Sequence, residues 1–401
     1  MPIVLCGDFI EKTLQYKRNL HRKGLAMILC DSHLATIQKL AFSQEEISKV
    51  FKSAKQSKQF SDFINNSVKT IDIATDKLIQ LANYRNIPFA FLFLPELPEK
   101  ENILPDFRAE SKEFSINLQS CISASKKKQE WFKNYLIRNG YDSFLDGKKL
   151  EYDADIIREI KKLSDFDKAK NQSKGKRFTY IKDVLEEKNI IIQQSGVSQN
   201  KTQNTINLEE CRGYAIYDEY CPLIFINSKD TSENGKIFTL LHELAHILLK
   251  HSGVSSYDFN KNEEYQCNHI AGEILMPSEE FNKQWNKNIS IEENVKKINS
   301  HFKNIASPLA ITTKALLNNF IKYEEYKEFQ DSYLEKNIKN TKKIGGNYYT
   351  NIIASNSKNF AKSVIIDTLN GYETYKDAIY LLDIKSIKSF NNLAKSLGIN
   401  L

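Results

Sequence analysis

The sequence has no long apolar run and few of the residues that form tight turns. Its 401 residues include 14 glycines and 8 prolines, which disfavours a turn-dense β-sandwich and favours helices with short connections. No apolar stretch approaches the roughly 18 residues that a transmembrane helix needs. The first residues also lack the basic segment of a secretory signal. We therefore expect neither a membrane protein nor a secreted one, and we expect a cytoplasmic location.

The cysteines are scattered, and none of them forms a C-x-x-C pair. This excludes zinc fingers and iron–sulfur clusters and favours reduced thiols over a disulfide framework. Apolar residues nevertheless make up 41% of the chain, with 23 Phe and 19 Tyr, so real hydrophobic cores are expected. A chain of this length predicts two or three domains. The six cysteines are Cys6, Cys30, Cys121, Cys211, Cys221 and Cys267.

The net charge of +7 is unevenly distributed. Residues 1–120 contain 16 basic and 14 acidic side chains, whereas residues 121–180 contain 15 basic and 9 acidic ones. The basic stretch includes Lys126, Lys127 and Lys128 and a second group between Lys161 and Arg177. Such a stretch can contact phosphate groups or an acidic partner. The alternative is an ordinary solvated face of helices.

One segment, FTLLHELAHILL, carries the strongest chemical signal. It contains His242, Glu243 and His246 in the pattern H-E-x-x-H. Four residues make about one helical turn, so both imidazoles project from the same face and can bind one metal ion. Glu243 is offset on the helix, where its carboxylate can accept a proton from a water that the metal activates. The alternative is a core helix in which both histidines satisfy ordinary hydrogen bonds.

Two histidines do not complete a catalytic metal site, which normally has three protein ligands and an open position. The next predicted helix, EEYQCNHIAGEILMP, supplies candidates for the third ligand. Glu264 lies 18 residues beyond His246, a spacing that allows one loop and a return helix. Glu263 and Glu273 are competing carboxylates on the same helix, and His269 is a weaker candidate.

Three segments together resemble the ImmA/IrrE family of cytosolic metallopeptidases. RGYAIYDEYCPLIFINS fits a strand pair ending in P-x-I-x-I-N, FTLLHELAHILL fits F-T-L-x-H-E-x-x-H, and EYQCNHIAGEILMP fits E-x-x-x-N-x-x-A…L-M-P. The likeness extends more weakly to residues 76–108, which are similar to the junction after an XRE-type helix-turn-helix in longer members. It also extends to the helical tail from residue 345 onward.

The resemblance implies a zinc-dependent endopeptidase. His242 and His246 would be zinc ligands, Glu264 the third ligand and Glu243 the general base. Mn²⁺ or Fe²⁺ would suit the same ligands. Family members cleave a cytosolic regulatory protein, either a repressor or an antitoxin-like protein, that is often encoded nearby. Two alternatives stay open. The protein could be a DNA-binding regulator whose metal site is structural or vestigial, or an antitoxin-type binding protein.

These observations predict an α+β protein with a minimal zincin-like core, a small sheet beside the HExxH helix, flanked by helical regions. The expected domains are a helical N-terminal region at 1–110, a metallopeptidase domain at 111–335 and a helical C-terminal region at 336–401. Residues 20–75 lack the turn residues of a helix-turn-helix. We therefore expect an interaction module or a degenerate helix-turn-helix there, with DNA as a weakly supported partner. The strand LIFIN is the expected place for a substrate to bind as an added strand.

Overall fold

A computed structural model describes most of the chain beyond its N-terminus. The described residues are 26–30, 37–38, 40, 42–84, 92, 114–144, 150, 153–200, 204–250, 253–254, 261–337 and 347–400. They fall into two compact units, Met1–Glu101 and Asn102–Leu401. Within these residues no helix is long and apolar enough to cross a membrane.

The first unit contains helices, as expected, together with a two-stranded sheet that the periodicity did not predict. The two strands are antiparallel and pair from Ala26↔Ala74 to Cys30↔Thr70, with the described helices Gln44–Val50 and Ala54–Ile64 between them in the chain. Such long-range pairing leaves little trace in local sequence. The elements in chain order are β1 (Ala26–Cys30), α1 (Gln44–Val50), α2 (Ala54–Ile64), β2 (Thr70–Ala74) and α3 (Thr75–Tyr84).

Helix α1 starts at a capping box. The Ser43 hydroxyl accepts a hydrogen bond from the backbone N–H of Glu46, and the Glu46 carboxylate accepts one from the backbone N–H of Ser43. The described core of this unit comes from the apolar faces of α1, α2 and α3 and from Ile73 of β2, together with Ile37, Phe51 and Leu92 outside these elements. Aromatic contacts within it include Phe51 and Phe60, whose ring centroids are 4.9 Å apart.

The second unit is built on a mixed four-stranded sheet in the order β3-β5-β4-β6. Strands β4 and β5 form the antiparallel pair that the sequence predicted, and β3 runs parallel to β5. The last strand is only two residues long and pairs with β4 through Tyr214↔Val254 and Ala215↔Gly253. The strands are β3 (Ile191–Ser195), β4 (Gly213–Ile216), β5 (Leu223–Asn227) and β6 (Gly253–Val254).

Helices cover both faces of this sheet. One face packs against the helices between Asp153 and Leu317, which include the HExxH helix. The other face packs against the long helix Ile116–Arg138 and the C-terminal helices. The helices in chain order are α4 (Ile116–Arg138), α5 (Asp153–Leu163), α6 (Phe166–Ala169), α7 (Arg177–Glu186), α8 (Glu233–Leu248), α9 (Lys261–Leu275), α10 (Ser278–Gln284), α11 (Ile291–His301), α12 (Pro308–Leu317), α13 (Tyr323–Asn337), α14 (Tyr348–Asn356), α15 (Lys358–Leu369), α16 (Tyr375–Leu381) and α17 (Ile387–Ser396).

This architecture confirms the predicted fold class, an α+β core with a small sheet and an HExxH helix. One detailed expectation is wrong. The strand LIFIN is β5, which lies between β3 and β4 with all five residues buried, so it has no free edge to accept a substrate strand. A strand that is apolar at every position is typical of the centre of a sheet, where both faces are covered.

The basic stretch of the sequence does not form one open face. Lys128 on α4 is only 5% exposed, and its Nζ lies 2.7 Å from both Asn356 Oδ1 and Asp383 Oδ2. Lys168 forms an ion pair with Asp165 and Lys170 with Asp167, in each case three residues earlier in the chain. Of the three lysines only Lys128 is buried, and the other two form local, largely exposed ion pairs, which favours the alternative reading of the stretch. The cysteines whose side chains are described are free and buried.

Candidate metal centre

The HExxH residues lie in the most buried helix of the second unit. Helix α8 begins after Ser232, whose hydroxyl accepts a hydrogen bond from the backbone N–H of Gly235. From Ile237 onward nearly every side chain is buried, because the sheet covers one side of the helix and α5, α7 and α9 cover the others. Burial on all sides explains the nearly uniform apolar sequence around the motif.

The three predicted metal ligands converge at one point. The Nε2 atoms of His242 and His246 are 3.0 Å apart. The two carboxylate oxygens of Glu264 lie 3.3 Å from His242 Nε2 and 3.1 Å from His246 Nε2. Among the described residues, this is the cluster of histidine, cysteine and acidic side chains whose geometry would hold a metal ion.

Glu264 is brought to the histidines by the return helix that the spacing predicted. Helix α9 packs along α8 and is tied to α5 by a hydrogen bond from Gln266 Nε2 to Asp153 Oδ1 of 2.7 Å. Burial alone would raise the pKa of Glu264, but hydrogen bonds from the two histidines outweigh it and lower that pKa to about 2. The carboxylate is therefore ionised, the state that a metal ligand requires.

The competing candidates for the third ligand lie elsewhere. Glu273 is near the end of α9, where its Oε1 is 2.6 Å from Lys314 Nζ on α12. His269 is exposed, and Glu263 is half-buried on the first turn of α9 but outside the convergent group. The opposite face of α9 packs in the core through Ile270, Ala271, Ile274 and Leu275, and the helix ends two residues before Pro277.

Glu243 is completely buried between α8 and strand β4. Gly213 is its neighbour on that strand: a Cβ atom added there would lie 2.9 Å from Glu243 Oε1 and 2.6 Å from Thr239 Cγ2. Gly213 stands in the RGYAI segment of the resemblance, but nothing in the local sequence marks it as a functional residue. Its closeness to Glu243 depends on how the sheet packs against α8, which no local pattern reports.

The chemistry and the spacing of these side chains fit a divalent metal ion. Zinc bonds to imidazole nitrogen and carboxylate oxygen are about 2.1 Å long, so two ligand atoms on a tetrahedral ion lie about 3.4 Å apart. The observed separations of 3.0, 3.1 and 3.3 Å are close to this value. Two histidines and a carboxylate are also a common ligand set for catalytic zinc.

Comparison with known proteins decides the type of domain. Residues 205–316 match the model of the Peptidase_M78 family, which is described as the IrrE N-terminal-like domain. This part of the chain is similar to the IrrE N-terminal-like domain. The match confirms the resemblance to the ImmA/IrrE family that the three motifs indicated, and it supports a peptidase type of activity.

The IrrE N-terminal-like domain includes β4, β5, α8 and α9, and thus all four predicted site residues. Residues 356–396 match a second model, a domain of unknown function (DUF8813), which covers most of the C-terminal helices. No curated protein and no solved structure matches the chain. The family match identifies the domain, while the roles of His242, Glu243, His246 and Glu264 stay predictions.

Proposed function

We propose that this protein is a zinc-dependent endopeptidase of the cytoplasm, in which Glu243 acts as the general base. The convergence of His242, His246 and Glu264 within hydrogen-bonding distance of one another carries this proposal. Three adjacent side chains with this chemistry would hold Zn²⁺, with Mn²⁺ or Fe²⁺ as alternatives. Such an ion would polarise the scissile carbonyl and lower the pKa of a water molecule.

Glu243 would carry both proton transfers of the reaction. It follows His242 in the helix, and its side chain is fully buried. It would accept the proton of the attacking water and return it to the amine that leaves, which is the work of a general acid–base group. The two histidines, 3% and 4% exposed, would bind the metal through their Nε2 atoms.

We further propose that the substrate is a regulatory protein, either a repressor or an antitoxin-like protein encoded nearby. The family resemblance supports this choice. The test is incubation of the full-length protein and the purified neighbouring gene product with Zn²⁺, with and without a chelator. Cleavage that depends on the metal supports the proposal. A stable complex of two intact proteins would instead favour the antitoxin-type function.

A second candidate function is binding of duplex DNA by the first unit. Helices α1 and α2 are joined by only three residues, Phe51 to Ser53, which is the connection length of a helix-turn-helix. Lys52 in this connection is exposed, as are Lys55 and Lys58 in the first half of the second helix. Titration of the full-length protein with duplex DNA at several salt concentrations tests it, because phosphate contacts weaken steeply as salt rises. Lack of binding at low salt would exclude this function.

A further inference from the structure

We infer that Gly213 is a positioning residue for Glu243: the missing side chain on strand β4 leaves the space that the carboxylate of Glu243 occupies. Its catalytic consequence rests on the proposed general-base role of Glu243. The spatial claim itself does not, because it follows from the packing of β4 against α8.

The surroundings of Gly213 are tight on three sides. A Cβ atom at this position would lie 2.6 Å from Thr239 Cγ2, 2.9 Å from Glu243 Oε1 and 2.9 Å from the carbonyl oxygen of Phe225. Thr239 and Glu243 are four residues apart on α8 and therefore face the strand together. Real Cβ atoms do not come this close to other heavy atoms, so an alanine here would force a neighbour to move.

The backbone conformation does not explain the glycine. The described glycines with positive φ are Gly140, Gly175, Gly371 and Gly398, whereas Gly213 is an ordinary strand residue opposite Ile226. Any L-residue can adopt its dihedral angles. The position therefore requires glycine for its small size, and the group that benefits is the carboxylate beside it.

Of the three neighbours, Glu243 is the one that can give way. The carbonyl of Phe225 belongs to the central strand β5, whose position is fixed by partners on both sides. Thr239 is β-branched and 8% exposed, and its Cγ2 is one bond from Cβ, so it can move only by a change of χ1. The carboxylate of Glu243 stands at the end of a longer side chain. An added methyl group would therefore displace it first, and a shift of about 1 Å can lower a rate by about 10²-fold.

The experiment substitutes Gly213→Ala in the full-length protein, with Gly235→Ala as the matched control. Gly235 lies in the first turn of α8, and the heavy atoms nearest to a Cβ there belong to the side chain of Asp230, with Oδ2 at 2.5 Å. We expect Gly213→Ala to bind Zn²⁺ as the parent does, because its neighbours are not the metal ligands. Cleavage of the neighbouring gene product should show a kcat lower by about 10²-fold with KM unchanged. Gly235→Ala should cleave at close to the parent rate.

A double-mutant cycle separates positioning from general damage. Gly213→Ala is introduced both into the parent and into the Glu243→Ala variant, which lacks the crowded carboxylate. We expect it to lower the thermal unfolding midpoint clearly more in the parent than in the Glu243→Ala background. In a Glu243→Gln background it should reduce the residual cleavage no further. This unfolding cycle tests, without any substrate, whether Gly213 leaves the space that the Glu243 carboxylate occupies. A failure to cleave any substrate would count against the proposed function only.

Three results would overturn the inference. They are parent-like kcat in Gly213→Ala, loss of bound Zn²⁺ together with activity, and additive effects of Gly213→Ala and Glu243→Ala on the unfolding midpoint. Should Gly213→Ala fail to fold, Gly213→Ala/Glu243→Ala and Gly213→Ala/Thr239→Ser replace it. Recovery of folding in the variant that lacks the carboxylate supports the inference, and recovery in the Thr239 variant alone contradicts it.

Discussion

Glu264 Oε1 lies 3.1 Å from His246 Nε2, so a carboxylate on helix α9 meets an imidazole on helix α8. The contact joins two helices that the chain connects through β6, and it closes the ligand set that the HExxH motif leaves incomplete. The packing of α9 against α8 therefore decides whether the site exists. It also identifies which of the candidate glutamates can be tested as the third ligand.

The first prediction concerns this ligand. Replacing Glu264 with Ala should weaken Zn²⁺ binding by 10-fold or more, on the order expected when a group that holds the metal is lost. Replacing the adjacent Glu263 should leave binding close to that of the parent, because Glu263 is outside the convergent group. Titration with Zn²⁺ against a competing chelator measures both affinities. Equal affinities of Glu264→Ala and the parent would show that another residue completes the site.

The second prediction concerns the packing of α9 against α12. Lys314 is 8% exposed and donates hydrogen bonds to Glu273 and to the carbonyl oxygen of Met276. Burial raises the pKa of Glu273, but hydrogen bonds from Lys314 and Ser278 outweigh it and the net shift is downward. Glu273→Ala removes the partner of a buried ammonium group. We expect a loss of about 2 kcal/mol in the free energy of unfolding, the range for hydrogen bonds to charged groups.

Urea unfolding of Glu273→Ala and of Glu279→Ala provides the comparison. Glu279 also pairs with a lysine at 2.6 Å, but both side chains are largely exposed. Exposed pairs contribute little, so Glu279→Ala should change the midpoint far less. Equal effects of the two substitutions would mean that the buried contact does not hold α12 on α9.

A third prediction follows from Glu186 at the end of α7. Its side chain is 2% exposed, and it accepts a hydrogen bond of 3.0 Å from the backbone N–H of Lys358, at the start of α15. Burial raises the pKa of Glu186, and the attraction of Lys182 opposes the shift only in part. The pKa in the folded protein is thus above that in the unfolded chain. The ionised form is destabilising at neutral pH, and this penalty disappears as pH falls through the folded-state pKa toward the unfolded one.

The difference in unfolding free energy between the parent and Glu186→Gln isolates this group. Relative to Glu186→Gln, the parent should gain stability as pH is lowered from about 7.5 toward about 4.5, where the unfolded-state glutamate titrates. Other titrating groups cancel in the difference. A difference that stays constant over this range would show that the carboxyl has the same pKa in both states.

The local patterns in the sequence predicted the parts of the site that lie within single elements. A short continuous segment of sequence is enough to predict the i, i+4 histidines of α8, the β4–β5 pair and the apolar face of α9. Relationships between distant elements were not predictable in the same way. The strand pair β1–β2 joins segments about 40 residues apart in the chain, residues 26–30 and 70–74. The crowding around Gly213 arises only when the sheet meets α8. The error over LIFIN arose because strand order, which makes β5 central, is a property of the whole sheet.

The last prediction separates the proposed general base from the metal ligands. Glu243→Gln keeps the size of the side chain and its ability to form hydrogen bonds but removes the basic carboxylate. Bound Zn²⁺, measured by elemental analysis, should be nearly unchanged, while cleavage of the neighbouring gene product should fall by 10² to 10⁴, the usual range for an acid–base group. His242→Ala should lose metal and activity together, since it removes an atom of the convergent group. Cleavage by Glu243→Gln at the parent rate, with metal bound, would exclude Glu243 as the base.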